Sequence, residues 1–358
     1  MAAHRTLRHL SLTQRATIVA AAAMTALAGA AEELGAGDVE RFVLAGLALA
    51  ALAAAVGQSV EQVGERLGPG ATGLLQSTLG NLPELFVALF ALSDGLIGVV
   101  RAALVGSVLG NAVLVLGCAF VAGGLRHGPQ RFDPSGPRLD ATLLLLAVGA
   151  LVVPTLASHL DTPAAAHISA LSDADAVVLL VVYAASVAFS LRRGARGGVG
   201  QPGSAAWPLG LSMAVLVAAS AGAAVVADWF VEVLAPATAS LGLSQTFTGL
   251  VIVALASNAV EHVVGIRFAL RAKPEYAVST TLNSPLQVAL LLIPVLVLLS
   301  NVVGPAKLTL VFPPLLVAAL AVSALVVVSV VFDGEYTWVE GLALIALYCI
   351  VAAAFWWG

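Results

Sequence analysis

Eleven runs of about 20 apolar residues divide this chain, and each run is long enough to cross a hydrocarbon core of about 30 Å as a helix. Only 10% of the residues are charged and 60% are hydrophobic, so the chain could not cover a soluble globule with polar surface. The abundance of Ala, Val and Leu, without alternating polar residues, disfavours a membrane barrel. The sequence therefore predicts an all-α polytopic membrane protein with eleven transmembrane helices. The runs lie near residues 15–31, 40–64, 70–93, 96–123, 139–158, 174–193, 205–231, 243–270, 275–300, 308–332 and 338–357.

The first run has two interpretations. It follows several basic residues and ends in small residues before Glu32, a pattern that signal peptides share. We favour a membrane helix that stays in the protein.

The distribution of Lys and Arg predicts the orientation of the chain. With eleven spans, thirteen of the sixteen basic residues fall on the side of the N-terminus, and only Arg41, Arg101 and Lys307 fall on the other. Because cytoplasmic loops are enriched in Lys and Arg, we expect a cytoplasmic N-terminus and an external C-terminus. The loop 333–337 is an exception, since it is assigned to the inside but carries Asp and Glu without a basic residue.

A constant offset between polar residues indicates an internal duplication. Three pairs share it: Asn81 and Asn258 (258 − 81 = 177), Glu84 and Glu261 (261 − 84 = 177), and Ser107 and Ser284 (284 − 107 = 177). We therefore predict an N-terminal helix in residues 1–38, a five-helix repeat in 39–196 and a second five-helix repeat in 197–358. Repeats with an odd number of spans enter the membrane from opposite sides, as the inverted repeats of secondary transporters do.

The two repeated glutamates are the strongest candidates for function. Glu84 and Glu261 lie deep in their runs, where an ionisable side chain is costly and is a functional hypothesis by default. Oxygen-bearing side chains accompany them on the same or neighbouring helices: Asn81, Asn258, Ser107, Asn111, Ser284 and Gln287. Carboxylate, amide and hydroxyl oxygens suit a hard cation such as Ca²⁺. The alternative is that the uncharged residues only join helices by hydrogen bonds.

Proton coupling follows from the same carboxylates. Burial favours the protonated form of a carboxyl group, whereas a bound cation favours the ionised form. If only the occupied states can switch between the two sides, the protein must exchange cations for protons. His262 lies next to Glu261 and is a candidate proton acceptor, although an interior histidine with a structural hydrogen bond is an equally good interpretation.

At this point the sequence resembles the cation/proton exchanger family, the Ca²⁺/H⁺ antiporters of the wider Ca²⁺/cation antiporter superfamily. The resemblance is carried by the segments 80–92 and 257–262, and 106–117, 284–287 and 61–62 also fit. It implies that Glu84 and Glu261 bind Ca²⁺ and protons and that His262 belongs to the proton pathway. The supporting ligands that it implies are Asn81, Asn258, Ser107, Ser284 and Gln287.

The resemblance also implies a moving part. The helices near 40–64 and 205–231 would form the gating bundle, and Glu61, Asp228 and Glu232 would line the approach to the site unless they are simply charges at helix ends. This chain has Leu82 and Pro83 where Ala and Thr are more usual in the family, and the link 192–206 lacks an acidic run.

The sequence thus predicts a transporter of Ca²⁺ and protons rather than an enzyme, without a resident cofactor. A Na⁺-coupled Ca²⁺ exchanger, a monovalent cation/proton antiporter, a passive cation channel and a non-transporting membrane protein are the alternatives. The sequence lacks the Gly-rich phosphate-binding loop that an ATP-driven pump would need, and nothing in it points to nucleic-acid binding. We expect an integral protein of a prokaryotic cell membrane, with the oligomeric state open between a monomer and a homo-oligomer.

Overall fold

The computed structural model describes residues 11–67, 79–196 and 207–357. These residues are almost entirely helical, as the apolar runs predicted. The helices are α1 (Leu12–Glu33), α2 (Asp38–Leu67), α3 (Leu82–Ser93), α4 (Ile97–His127), α5 (Ser135–His159), α6 (Ile168–Arg196), α7 (Leu209–Ser240), α8 (Gln245–Ser257), α9 (Ala259–Leu270), α10 (Pro274–Leu299), α11 (Pro314–Val331) and α12 (Trp338–Ala354). Two short strands complete the fold, β1 (Gln130–Arg131) and β2 (Glu335–Tyr336).

The described residues contain eight helices that are long and apolar enough to cross a membrane. A ninth span is obtained if α8 and α9 are counted as one broken helix, in which Gln245–Ser257 and Glu261–Leu270 meet at 65°. Two shorter apolar helices, α3 and α12, remain. The first part of the predicted run 70–93, residues 70–78, lies outside the described residues, as do residues 197–206 of the link between the predicted repeats.

The residue contacts divide the chain into two compact units, and each unit draws on both predicted repeats. Unit 1 comprises Met1–Phe90, Ala184–Gly242 and Ala256–Val260, and unit 2 comprises Ala91–Tyr183, Leu243–Leu255 and Glu261–Gly358. The repeats predicted from the sequence are therefore not the compact bodies of the fold.

Unit 1 is built around the two longest helices, α2 and α7. Phe42 stacks on Phe230 with ring centroids 4.7 Å apart, and a methyl group on Gly222 would lie only 3.1 Å from Leu52. At 30 and 32 residues, these helices are about 45 and 48 Å long, so both are longer than a hydrocarbon core of about 30 Å.

Helix α1 is tied to this pair by polar contacts near both ends. The guanidinium of Arg41 on α2 forms a two-pronged ion pair with Glu32 on α1 and approaches Glu232 on α7 at 3.4 Å. Gln58 on α2 donates to Thr17 on α1 at 2.8 Å. Helix α1, which stands outside the predicted repeats, is thus an integral part of unit 1.

Unit 2 is centred on α4, the most deeply buried of the membrane helices. Its glycines allow neighbouring backbones to approach closely, as is common between membrane helices. A methyl group on Gly117 would lie 2.7 Å from the carbonyl oxygen of Gly341 on α12, and one on Gly106 would lie 2.6 Å from the carbonyl carbon of Leu250 on α8. The all-round apolar sequence of α4 is therefore explained by protein contacts rather than by lipid.

The acidic loop 333–337 finds its counter-charge in another loop. Strands β1 and β2 pair antiparallel, which brings Arg131 to Glu335 at 2.8 Å, and Arg138 donates to the carbonyl oxygen of Phe332. Tyr336 is fully buried and stacks on Phe120 of α4 with centroids 4.0 Å apart. The counter-charge of Glu335 is thus supplied by Arg131 from another loop.

Candidate functional site

Both candidate carboxylates occupy the same position in a short helix. Glu84 is the third residue of α3, and Glu261 is the third residue of α9. The first turn of a helix carries N–H groups without intrahelical partners and the positive end of the helix dipole, which favours a negative charge there. Glu84 is only 4% exposed, and Glu261 is partly buried. Each half-helix thus begins at a point inside the protein and presents a carboxylate near its start.

An asparagine marks the start of each of these helices. The carbonyl oxygen of Asn81 accepts from the backbone N–H of Leu85 at 2.9 Å and so begins α3. Asn258 stands between α8 and α9, where the helix axis bends, and its amide donates to Ser257 Oγ at 3.1 Å. Both asparagines are buried. Broken helices of this kind form ion sites in transporters, because the break exposes backbone groups away from water.

The helix boundaries repeat with the offset of the polar residues. Helices α3 and α9 begin 259 − 82 = 177 residues apart and end 270 − 93 = 177 residues apart. Helices α4 and α10 begin at residues 97 and 274, and 274 − 97 = 177. Each of the latter pair contains a π-helical turn at almost equivalent places, Gly110–Val115 and Val288–Leu292. Such turns often accompany functional sites.

In unit 2, α4 and α10 are joined by a buried polar contact. The amide nitrogen of Asn111 donates to Ser284 Oγ at 3.0 Å and lies 3.3 Å from the carbonyl oxygen of Ser107. All three residues are almost completely buried, and Gln287, one helical turn beyond Ser284, is buried too. The predicted residues Ser107 and Ser284 are therefore brought together through an asparagine.

His262 is directed towards α4. A methyl group added to Gly110, at the start of the π-helical turn, would lie 3.9 Å from His262 Nε2. This nitrogen has no hydrogen-bond partner among the described residues. The histidine is thus near the helix that carries Ser107 and Asn111.

The three residues predicted to line the approach lie in unit 1 and are exposed. Glu61 is on α2, and Asp228 and Glu232 are on α7. Glu232 forms an ion pair with Arg41 at 3.4 Å. Asp228 forms no hydrogen bond or ion pair with another described residue.

The two prolines beside the candidate residues behave differently. Pro83 is the second residue of α3, where a helix needs no backbone donor, so it helps to start the helix rather than to kink it. Pro285 lies inside α10, next to Ser284, where its missing N–H removes one backbone hydrogen bond.

Asn111 is the residue that sequence reasoning undervalued. Its spacing of four residues from Ser107 placed it on the same helix face, but the offset of 177 gives it a valine partner, since 111 + 177 = 288. Its importance depends on the contact with Ser284, which no local pattern reveals.

The glutamate, asparagine, glutamine and serine side chains of the candidate site offer carboxylate, amide and hydroxyl oxygens as ligands. Such donors bind hard cations, and a carboxylate can carry a proton instead.

The comparison with known proteins agrees with this chemistry. A family model described as "Sodium/calcium exchanger protein" matches residues 41–192 and 211–357, which is most of the chain. The chain belongs to the sodium/calcium exchanger protein family. The resemblance predicted from the segments around Glu84 and Glu261 is thereby confirmed.

Members of the exchanger family are similar to this chain over nearly its full length. It is 38% identical over 351 residues to a protein of Synechocystis sp. named Ca(2+)/H(+) antiporter, with 92% of this chain and 94% of the relative covered. It is 35% identical over 315 residues to the Ca(2+)/H(+) antiporter ChaA of Bacillus subtilis, covering 85% and 88%. The solved structure of native YfkE matches with a TM-score of 0.82 and 30% identity, covering 95% of this chain and 99% of YfkE.

Proposed function

We propose that this protein exchanges Ca²⁺ for H⁺ across a membrane by alternating access. The observation that carries the proposal is the near-complete match to proteins named Ca(2+)/H(+) antiporter, at 38% identity in one case. The chemistry of the buried residues supports the same reaction, because carboxylates can hold either a divalent cation or protons.

Glu84 and Glu261 are the proposed carriers of Ca²⁺ and protons. Each begins a half-helix, so each is held at a defined depth by the backbone rather than by a flexible loop. Further oxygen ligands are proposed to come from Asn81, Asn258, Ser107, Ser284, Gln287 and, in addition, Asn111. We assign His262 to the proton pathway, since its partnerless nitrogen lies near α4.

Coupling arises because the carboxylates cannot remain charged and empty without cost. A buried ionised carboxylate that lacks a cation is unfavourable, so the protein switches sides only with Ca²⁺ or with protons bound, and on each side one must be replaced by the other. Ca²⁺ and H⁺ are thus the transported substrates, and no resident cofactor is part of the mechanism that we propose.

The membrane topology that we propose has eleven spans and inverted repeats. The eight long helices, the broken pair α8 and α9, and the shorter α3 and α12 would supply the eleven. The family model matches one stretch on each side of residue 200, which supports the duplication in residues 39–196 and 197–358. We propose that the remaining segment, 1–38, adds the extra span.

Contacts between loops and helix ends support the proposal that successive loops lie on alternate sides of the membrane. Three contacts join loops assigned to the inside: His127 with Leu270, Arg131 with Glu335, and Arg138 with Phe332. Three join loops or helix ends assigned to the outside: Asp173 with Asn301, Ser169 with Lys307, and Ser244 with Phe355. With the excess of basic residues, this favours a cytoplasmic N-terminus in a prokaryotic cell membrane.

Helices α2 and α7 are the proposed gating pair. Their length and the close contacts of Gly46 with Phe230 and of Gly222 with Leu52 suit a pair that moves as one body within unit 1. We propose that Glu61, Asp228 and Glu232 attract cations towards the site from these helices.

Ion-flux measurements with purified protein in liposomes test the function. We expect Ca²⁺ uptake driven by an imposed pH gradient, accompanied by proton movement and independent of Na⁺. In Glu84→Gln or Glu261→Gln the rate should fall about 10- to 100-fold, since a charged ligand is lost from a buried site. The exposed Glu40→Gln on α2 is a matched control and should exchange normally.

Two results would refute the proposal. Uptake that requires Na⁺ instead of a pH gradient would indicate a Na⁺-coupled exchanger. Normal exchange in both Gln variants would remove the carboxylates from the mechanism.

A further inference from the structure

A cluster of basic side chains at one end of unit 2 is not used by the proposed transport mechanism. Arg126 is in the last turn of α4, Arg267 is in the last turn of α9, and Arg271 and Lys273 lie in the turn before α10. These four residues, here called the basic patch, are all exposed.

The basic patch is held together by packing beneath it. Ala119 of α4, Ala269 of α9 and Ala277 of α10 form a fully buried cluster. Above this cluster, the ring of His127 contacts the carbonyl oxygen of Leu270 at 3.0 Å, which joins the end of α4 to the end of α9. The side chains of the patch therefore extend from the ends of α4 and α9 and from the turn before α10, and these three helices are packed against one another.

The turn that carries Arg271 and Lys273 has a defined but strained backbone. The N–H groups of Ala272 and Lys273 donate to the carbonyl oxygens of Ala269 and Phe268, both at 3.1 Å, in the arrangement that commonly ends a helix with glycine. Here the left-handed position is filled by Ala272, with φ of 53°. The turn thus holds two basic residues in place at an energetic cost.

Within the part of the chain that the structure describes, no acidic side chain forms an ion pair with the basic patch. Arg126, Arg267, Arg271 and Lys273 form no ion pair with any described residue, although Glu275 is near in sequence. Arg267 and Arg271 are four residues apart, a spacing at which like charges on a helix repel. By contrast, Arg131 in the neighbouring loop is neutralised by Glu335. An uncompensated positive cluster favours an anionic partner.

The level of the basic patch relative to the hydrocarbon core indicates which kind of anion it meets. Helix α9 runs for 12 residues, about 18 Å, from the break at Asn258 to the patch, which is close to half of the hydrocarbon thickness. Tyr276 is 60% exposed beside the patch, and Lys273 Nζ lies 5.8 Å from the centre of its ring. Exposed tyrosines mark the headgroup level of membranes, and the cytoplasmic leaflet is rich in anionic lipids.

We infer that the basic patch binds the headgroup of an anionic phospholipid in the inner leaflet. The arginines receive the phosphate by charge-assisted hydrogen bonds, and Tyr276 lies at the same level. This inference depends on the proposed orientation, which puts the basic patch on the cytoplasmic side, and not on which ions the protein transports.

Lipid retention by the purified full-length protein tests the inference. Detergent-solubilised protein is incubated with phosphatidylglycerol or phosphatidylcholine, and bound lipid is counted by native mass spectrometry. We expect preferential retention of phosphatidylglycerol and its loss in Arg267→Gln/Arg271→Gln, by about fivefold for each arginine and about 25-fold for both. The control Arg131→Gln, at an already paired arginine, should change retention less than about twofold.

Two further arms keep the test decisive. About 0.5 M NaCl should release phosphatidylglycerol from the wild-type protein by screening, a measurement that requires no variant to fold. Equal retention of the two lipids, unchanged retention in the double variant, or displacement of phosphatidylglycerol by the same concentration of inorganic phosphate would each overturn the inference. The last result would assign the patch to a soluble anion.

Discussion

The close crossing of α4 and α8 makes Gly106→Ala a sensitive test of the structure. Gly106 precedes Ser107, and a methyl group at this position would lie 2.6 Å from the carbonyl carbon and 2.7 Å from the Cα of Leu250. The carbonyl oxygen of Leu250 would lie nearer still, and an ordinary contact with the carbonyl carbon alone needs about 3.4 Å, so α8 must shift by at least about 0.8 Å at this point. The obstructing atoms belong to backbone and cannot rotate away.

The cost can be estimated from two opposing effects. Overpacking of a tight interface destabilises by about 1–3 kcal/mol, whereas replacing glycine by alanine within a helix gains up to about 1 kcal/mol. We therefore expect a net loss of about 1–2 kcal/mol in the free energy of unfolding. Because a shift of 0.8 Å exceeds the tolerance of about 0.5 Å for a binding constellation, Ca²⁺/H⁺ exchange should fall at least about tenfold.

The same helix provides the control. Gly98→Ala lies in the first turn of α4, where a methyl group would meet no atom within 4 Å, so it should be neutral or slightly stabilising. Heat-induced unfolding in detergent and exchange in liposomes, measured well below the unfolding midpoint, compare the two variants. Equal stability and equal exchange rates would refute the crossing of α4 and α8 described above.

Three further predictions concern single residues. Asn111→Ala should raise the half-saturating Ca²⁺ concentration about 5- to 100-fold, because the buried hydrogen bond to Ser284 is lost. Titration of the exchange rate with Ca²⁺ measures this concentration. An unchanged value would exclude a role for the Asn111 amide in Ca²⁺ binding. Ala272→Gly should raise the free energy of unfolding by about 1 kcal/mol by relieving the left-handed strain, and a lower unfolding midpoint would contradict it. Burial raises the pKa of Tyr336, which lies outside the membrane spans, from 10 to about 12. The protonated Tyr336 side chain therefore contributes fully to the free energy of unfolding below pH 10, and this contribution is lost between about pH 10 and 12. In that pH range the stability of Tyr336→Phe should depend less on pH than the stability of the wild-type protein, which unfolding measurements at several pH values would show.

Much of the fold could be predicted from the sequence because the bilayer imposes simple rules on a chain. Apolar runs of about 20 residues predicted the long helices, and an ionisable residue inside such a run is costly enough to attract attention. The offset between Glu84 and Glu261 also predicted that the helices around them correspond, and α3 and α9 have the same offset at both ends.

The breaks in the helices were less visible. Run 243–270 was predicted as one continuous span, but it bends by 65° near Asn258. An asparagine inside an apolar run is compatible with an unbroken helix, so the residues of the run alone do not predict the bend. Similarly, the π-helical turns of α4 and α10 have no clear pattern in the residues that form them.

The sequence by itself thus determined the helical membrane class of the protein and its long apolar helices, and it singled out the two carboxylates as candidates, because these follow from burial costs that each residue carries wherever it is placed. Tertiary structure alone decided the partners. Asn111 meets Ser284 across 173 positions, and Arg131 meets Glu335 across 204. Such pairs arise when packed helices bring distant segments within a few ångströms, and neither member of a pair carries a local signal of the other.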